Sequence, residues 1–173
     1  MQTEPELTRS APQLGHYEID VSRSSIGFRT RHLCGLAPVR GTFTILSGSV
    51  DVAEPLAESA VRVEIATASF RTGNQQRDAV VRSARLLDTS GYPVITFGSV
   101  RVSAQDRAVT GELTVRAVTR PVTLTIREVA LSRDGFSAAA TARIDRTQFG
   151  VTALRGLAAR YLDLAVEVRC VRT

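Results

Sequence analysis

The chain has 173 residues, of which 43% are hydrophobic and 23% are charged, proportions typical of one globular domain. No run approaches the ~18 consecutive apolar residues of a membrane-spanning helix, and no low-complexity or long charged block occurs, so membrane-spanning, fibrous and disordered classes are excluded. The net charge of +5 comes from 22 arginines, with no lysine, against 17 acids. The arginines are spread evenly and tryptophan is absent, which argues against a nucleic-acid partner and favours only a mild attraction to anions.

The N-terminal segment predicts a flexible arm, residues 1–15, because Pro5, Pro12 and Gly15 interrupt it. We expect one folded domain over residues 16–173. The arm contains two acids and no apolar run, unlike a signal peptide, which predicts a cytoplasmic protein. Cys34 and Cys170 are too few for a disulfide scaffold and are interpreted as buried thiols.

From Tyr17 onward, eight or nine short segments alternate apolar with polar residues and are separated by Gly, Pro, Ser or Asp. In residues 24–32, for example, Phe28 and His32 share one face and Arg29 lies on the other. Strict alternation gives each strand one buried and one solvated face, which favours an antiparallel sheet. Eight or more such strands hide their edges completely by closing, so the sequence predicts an all-β antiparallel barrel.

One short helix interrupts the strands and is predicted from about Asn74 to Leu87. Thr72 and Gln75 have the spacing of a capping box, and apolar residues then recur at helical intervals. We expect this helix to cover part of the sheet.

Small residues on the predicted inner face indicate space inside the barrel. Ala138, Ala140 and Ala142 alternate along one strand, and Gly41 and Gly111 occupy inward positions elsewhere. A barrel of eight strands is near the size at which the interior either fills with side chains or holds one small ligand. The pattern leaves both interpretations open: large neighbouring side chains fill the space, or an apolar ligand cavity remains.

No nucleotide-binding, hydrolase or metalloprotease motif occurs in the sequence. His16 and His32 are the only histidines, and no run of acids lies near either at metal-ligand spacing, so no metal site is predicted. Cys34 lies two residues from His32, but no third group that would activate the thiol is evident. We therefore predict a protein without catalytic residues.

Seven groups of motifs, in a fixed order from Tyr17 to the C-terminal region, carry a family resemblance. They are Tyr17-x-Ile19-Asp20; Ser25-Ile26-Gly27-Phe28; His32 followed by Val39-Arg40-Gly41-x-Phe43; Thr72-Gly73-Asn74 with Arg77-Asp78; Tyr92-Pro93-x-Ile95-Thr96-Phe97-x-Ser99; Gly111-x-Leu113-Thr114-Val115 with Thr119-Arg120-Pro121-Val122; and Ile144-Asp145-Arg146 with Phe149-Gly150. The sequence resembles the YceI-like, polyisoprenoid-binding family. It departs from the family mainly on the helix, for example at Val80, Val81 and Arg85. The resemblance therefore predicts the fold, but it does not predict which residues near the helix contact the ligand.

The resemblance implies an extended lipocalin-like antiparallel β-barrel whose long tunnel holds an isoprenoid chain or a similar lipid without catalysis. No cofactor is expected other than a bound isoprenoid or quinone-like lipid. If the lipid carries a phosphate, Arg71, Thr72 and Arg77 at the start of the helix would hold it; alternatively, Arg77 pairs with an acid such as Asp78. We expect the tunnel to be lined by Phe28, His32, Phe43, Val63, Ile65, Phe97, Leu113, Val115, Phe136, Ala140, Leu164 and Val166.

Two other functions stay open at this point. One is an enzyme that acts on an isoprenoid lipid inside the barrel, with His32 as acid or base. The other is a filled barrel that serves as a protein-interaction module. An exposed barrel mouth and the apolar residues of the helix are compatible with a homodimer, for which the sequence names no interface.

Overall fold

The protein is described by a computed structural model covering residues 11–32 and 36–173, with only the backbone at His32. Within these residues the chain forms nine β-strands, one α-helix and three short 3₁₀ turns. The helix α1 spans Gln75–Arg82, and the 3₁₀ turns span Val21–Arg23, Leu56–Glu58 and Arg146–Phe149. The strands are β1 Gly15–Ile19, β2 Ser25–His32, β3 Ala37–Val52, β4 Ala60–Arg71, β5 Val94–Ser103, β6 Ala108–Val115, β7 Val118–Ser132, β8 Gly135–Asp145 and β9 Tyr161–Arg172.

Eight antiparallel strands close into a barrel in the order β2-β9-β8-β7-β6-β5-β4-β3, and β3 pairs with β2 to complete the ring. The extra strand, β1, also lies between β3 and β9, because Tyr17 is opposite both Val50 and Arg172. Closure pairs the strand edges that an open sheet would expose. The predicted all-β, lipocalin-like antiparallel barrel with one short helix is therefore confirmed.

Alternation along the strands sets the inner face of the barrel. In β2, Ile26 and Phe28 are buried while Arg29 is exposed, and in β9 Leu164 is half-buried while Ala165 is exposed. Successive side chains of a strand point to opposite faces, so the apolar set of each strand is directed inward. This places aliphatic and aromatic side chains from all around the ring in one interior.

The barrel interior has a filled end, defined by a buried cluster of Tyr17, Ile19, Val52, Phe136 and Cys170. The rings of Tyr17 and Phe136 meet edge to face, with centroids 5.0 Å apart. Cys170 is fully buried, and this burial raises the pKa of its thiol to about 11, so the thiol stays protonated at neutral pH. The interpretation of Cys170 as a buried thiol is confirmed, whereas Cys34 lies outside the described residues.

The helix α1 is shorter than predicted. Asn74, and not Thr72, caps it, because the Asn74 side chain accepts a hydrogen bond from the backbone N–H of Arg77. The helix ends at Arg82 because Ser83 adopts an extended conformation. The predicted end at Leu87 was wrong: Leu87 follows the helix in a turn and is buried there.

The inward glycines make room for neighbouring aromatic rings. A Cβ atom at Gly41 would collide with the ring of Phe28, and one at Gly111 would lie 2.5 Å from Cζ of Phe97. At these two positions large neighbours fill the space, as the first of the two interpretations expects. A cavity must therefore come from other parts of the interior.

Candidate functional site

An apolar cavity of about 590 Å³ opens at the end of the barrel opposite the filled end, next to α1. We call this the open end. The volume lies within the range of ~300–1,000 Å³ that is typical of small-molecule sites. Side chains from β2 to β6, β8 and β9 form the inner wall, and most of them are aliphatic or aromatic.

Three phenylalanines from neighbouring strands form an aromatic part of the wall. Phe28 of β2 stacks on Phe70 of β4 with centroids 5.2 Å apart, and Phe43 of β3 packs against both rings at 5.6–5.7 Å. Phe28 is only 3% exposed, so its ring is held in place by its neighbours and over Gly41. A rigid apolar wall of this kind suits an aliphatic or isoprenoid chain.

The mouth of the cavity is bounded on one side by residues 146–160, the connection between β8 and β9, which we call the mouth segment. The Arg146 guanidinium donates hydrogen bonds at 2.7–3.1 Å to the backbone carbonyls of Val151, Ala153, Ala158 and Ala159. These bonds fold the segment around one side chain. Its apolar residues, including Phe149, Val151, Leu154 and Leu157, thereby reach the cavity.

Asp145 fixes both ends of the mouth segment. Its carboxylate accepts hydrogen bonds from the backbone N–H and the hydroxyl of Thr147 and, on its other oxygen, from Arg160. The hydrogen bond from Arg160, helped by those from Thr147 and opposed by burial, lowers the pKa of Asp145 to about 2. The carboxylate is therefore ionised at neutral pH and acts structurally.

On the other side of the mouth lies α1, where a buried carboxylate organises the first turn. Asp78 accepts hydrogen bonds from the backbone N–H of Thr72 at 3.1 Å and from its hydroxyl at 2.5 Å. Burial opposes its ionisation, but the bonds from Thr72 and the charges of Arg82 and Arg77 together lower the pKa of Asp78 below its ordinary value. Arg77 donates from Nε to the Thr72 hydroxyl at 2.8 Å, so it contacts Asp78 through Thr72.

Half of the predicted tunnel residues lie together in the cavity wall. These six are Phe28, Phe43, Ile65, Leu113, Val115 and Leu164. Whether they contact a lipid stays a prediction. The side chain of His32 lies outside the described residues.

The other five predicted tunnel residues lie deeper in the barrel and are not part of this wall. Val63 and Phe136 belong to the packing of the filled end. Phe97 packs over Gly111, and Ala140 is opposite Val166 in the pairing of β8 with β9. Alternation identified their inward face correctly but carries no information on their height along the barrel.

Of the predicted head-group residues, the structure brings only Arg77 to the cavity. Arg71 is exposed and outside the wall, and the Thr72 hydroxyl is engaged by Asp78 and Arg77. The sequence analysis missed Arg85 and Arg146, which also line the cavity. Arg146 stands in the Ile144-Asp145-Arg146 motif, but its position at the mouth depends on an irregular segment that no periodicity describes.

The described residues contain no group of three or more His, Cys, Asp and Glu side chains that could hold a metal ion. In the same part of the chain, no helix has the length and apolar character needed to cross a membrane.

Comparison with known proteins gives relatives along nearly the whole chain. A UPF0312 protein of Enterobacter sp. strain 638 is 34% identical over 179 residues, covering 96% of this chain and 91% of the relative. Protein YceI of Escherichia coli is 34% identical over 169 residues, covering 90% and 86%.

Solved structures with the same fold include BcnA of Burkholderia cenocepacia, with a TM-score of 0.77 and 22% identity over 87% of this chain and 98% of that one. A polyisoprenoid-binding domain of Saccharophagus degradans, implicated in plant cell wall breakdown, has a TM-score of 0.72 and 16% identity over 93% and 100%. The family model of the YceI-like domain matches residues 17–170. The resemblance in the sequence motifs is thus confirmed, and the chain belongs to the YceI-like family.

Proposed function

We propose that this protein is a non-catalytic binding protein for an isoprenoid or similar long-chain amphiphilic lipid, whose apolar tail occupies the cavity at the open end. The observation that carries the proposal is an apolar cavity of about 590 Å³ in a barrel whose other end is filled by side chains. Each methylene group buried there would contribute roughly 0.8 kcal/mol to binding. The Saccharophagus domain, which has the same fold and is described as polyisoprenoid-binding, supports this ligand class.

The chemistry of the wall favours binding over catalysis. Besides its apolar side chains, the described wall contains Thr, Asn, Gln and Arg side chains, none of which titrates near neutral pH. General acid–base catalysis needs a positioned group with a pKa near the working pH. The alternative of an enzyme, with His32 as acid or base, therefore finds no such group among the described residues of the wall. The alternative of a filled interaction module is disfavoured by the cavity itself.

The test compares two tryptophan substitutions on neighbouring residues of β9. Leu164→Trp would place an indole in the cavity, whereas Ala165→Trp, on the outward face, is the matched control. Isothermal titration calorimetry with farnesol, a neutral isoprenoid alcohol, would measure the affinity and stoichiometry of binding. We expect stoichiometric binding by the native chain and by Ala165→Trp, and a loss of at least tenfold in affinity in Leu164→Trp.

Two controls make this test decisive. Circular dichroism and thermal unfolding of both variants must show an intact barrel, since overpacking costs ~1–3 kcal/mol. Native mass spectrometry of the purified protein, followed by solvent extraction, would identify any lipid that is already bound. The proposal would be overturned if the native chain is purified without a bound lipid and takes up no farnesol. It would also be overturned if the two variants bind farnesol equally.

The cytoplasmic location, a role in transport and the homodimer stay predictions within this proposal. Cell fractionation tests the first, transfer of farnesol between vesicles in the presence of the protein tests the second, and light scattering of the purified chain tests the third.

A further inference from the structure

The described wall of the cavity contains basic side chains but no acidic ones. Arg31, Arg77, Arg85 and Arg146 line the cavity, and no aspartate or glutamate is among its described lining residues. Some described arginines outside the wall pair directly with acids, as Arg143 does with Asp163 at 3.0 Å and Arg160 with Asp145 at 2.7 Å. None of Arg77, Arg85 and Arg146 forms such an ion pair with a described acid.

Arg77 is half-buried at the mouth and has spare hydrogen-bond donors. Its Nε donates to the Thr72 hydroxyl, which holds the guanidinium in position. Its two terminal nitrogens have no hydrogen-bond or ion-pair partner among the described residues. The nearby carboxylate of Asp78 is buried and already accepts three hydrogen-bond contacts from Thr72, so it does not pair directly with Arg77.

Arg85 lies in the turn that follows α1, is exposed, and has no hydrogen bond or ion pair with any described residue. Arg146 adds a charge at the opposite side of the mouth, although four of its N–H groups are used by the backbone of the mouth segment. Arg77 and Arg85 are thus two cations in the cavity wall whose N–H groups remain able to bind an incoming group.

We propose that the lipid in this cavity has an oxyanion head group, a phosphate or a carboxylate, which Arg77 and Arg85 bind at the mouth while the tail extends into the barrel. This inference rests on the proposed function. Guanidinium groups form charge-assisted, often bidentate hydrogen bonds with both oxyanions, and these bonds are shorter and stronger than those to a neutral hydroxyl. The head group would also fix which end of the lipid enters first.

The test uses ligands with one tail and different heads. Titration of the native chain with farnesol, farnesyl phosphate and farnesoic acid compares a neutral head with a phosphate and a carboxylate. We expect one or both anionic ligands to bind at least about tenfold more tightly than farnesol, and this preference to fall as salt is raised. Inorganic phosphate at the same concentration, which lacks the tail, should not compete.

A double variant, Arg77→Gln with Arg85→Gln, assigns the preference to these two side chains. We expect the ratio of the affinities for anionic and neutral ligands to fall to about one. Arg101→Gln is the matched control, since Arg101 is exposed on β5 and lies outside the cavity wall. It should keep the native ratio, and circular dichroism should show both proteins folded.

The possible outcomes distinguish failure of the oxyanion head group from failure of the proposed lipid-binding function. If the native chain binds all three ligands equally, the oxyanion head is overturned while the lipid-binding function stands. If the double variant keeps the native preference, the assignment to Arg77 and Arg85 is overturned. If inorganic phosphate competes equally well, the site is an anion site independent of a tail, and if no ligand binds, the proposed function itself fails.

Discussion

At the scale of single residues, Asp145 links the barrel to the mouth of the cavity. It is the last residue of β8, and its side chain is 8% exposed. One carboxylate oxygen caps the 3₁₀ turn through Thr147, and the other holds Arg160, which precedes β9. The two ends of the mouth segment are therefore held together by one ionised group.

Replacing Asp145 with asparagine should lower the free energy of unfolding at neutral pH by about 1–2 kcal/mol, a magnitude that allows for solvent screening at the exposed Arg160. The folded-state pKa of about 2 lies below the ordinary value of 3.8, so the carboxylate stabilises the fold above pH ~4. That stabilisation is lost as the pH falls towards 2. Urea unfolding of both proteins between pH 7 and pH 2 measures it.

The control for this change is Asp163→Asn, which breaks an ion pair with Arg143 in which the side chains of Arg143 and Asp163 are 65% and 60% exposed. We expect that substitution to change stability by less than ~0.5 kcal/mol. A difference between native protein and Asp145→Asn that stays constant down to pH 2 would show that the ionised carboxylate is not its source.

At the scale of elements, the mouth segment is an irregular connection that behaves as part of the cavity wall. Gly150 and Gly156 adopt left-handed backbone conformations, with φ of 74° and 82°, where a side chain would be strained. Leu154 has a φ of 59° and packs against the hydrophobic core at the open end. The four hydrogen bonds from Arg146 hold this path, because the segment has no strand or helix after Phe149.

Replacing Arg146 with methionine keeps an extended apolar stem but removes these donors. We expect a loss of about 2–4 kcal/mol in stability, since four carbonyl groups lose a charged partner, and faster amide hydrogen exchange in residues 150–160. Hydrogen-exchange mass spectrometry and urea unfolding check both expectations.

Arg155→Met is the control in the same segment, because the Arg155 side chain is exposed and makes no hydrogen bond or ion pair with the described residues, and the substitution leaves the backbone bridge of Arg155 with Ala158 unchanged. It should change stability by no more than ~0.5 kcal/mol and leave exchange as in the native chain. Unchanged protection of residues 150–160 in Arg146→Met would mean that apolar packing, and not Arg146, holds the segment.

At the scale of the whole molecule, the period-two pattern was sufficient to predict the barrel and the inward faces of its strands. It therefore identified Phe28, Leu113 and Leu164 in the cavity wall. The same pattern could not separate them from Val63 or Phe136, because side chains at every height of a barrel share one inner face. The conformation of the mouth segment could not be predicted from this pattern, because it depends on side-chain hydrogen bonds and on residues with left-handed backbone conformations.

The depth of the cavity between the open end and the filled end leads to a prediction about the length of lipid tail that the barrel holds. A tail that enters at the open end advances towards the filled end, where Tyr17 and Phe136 are packed together. Affinity for isoprenoid alcohols should therefore rise from geraniol to longer tails and then stop rising once the tail reaches packed side chains. Isothermal titration of the native chain with geraniol, farnesol, geranylgeraniol and solanesol gives the length at which this plateau begins.

Phe97 is the next inward residue of β5 after Ile95, which lines the cavity, and it lies on the side away from the mouth. Phe97→Leu should extend the space and move the plateau to longer alcohols. Phe136→Leu removes the same atoms within the filled end, so it should cost similar stability but leave the plateau in place. Affinity that keeps rising through solanesol in the native chain, or equal plateaus in the two variants, would mean that the tail does not stop at the packed side chains of the barrel.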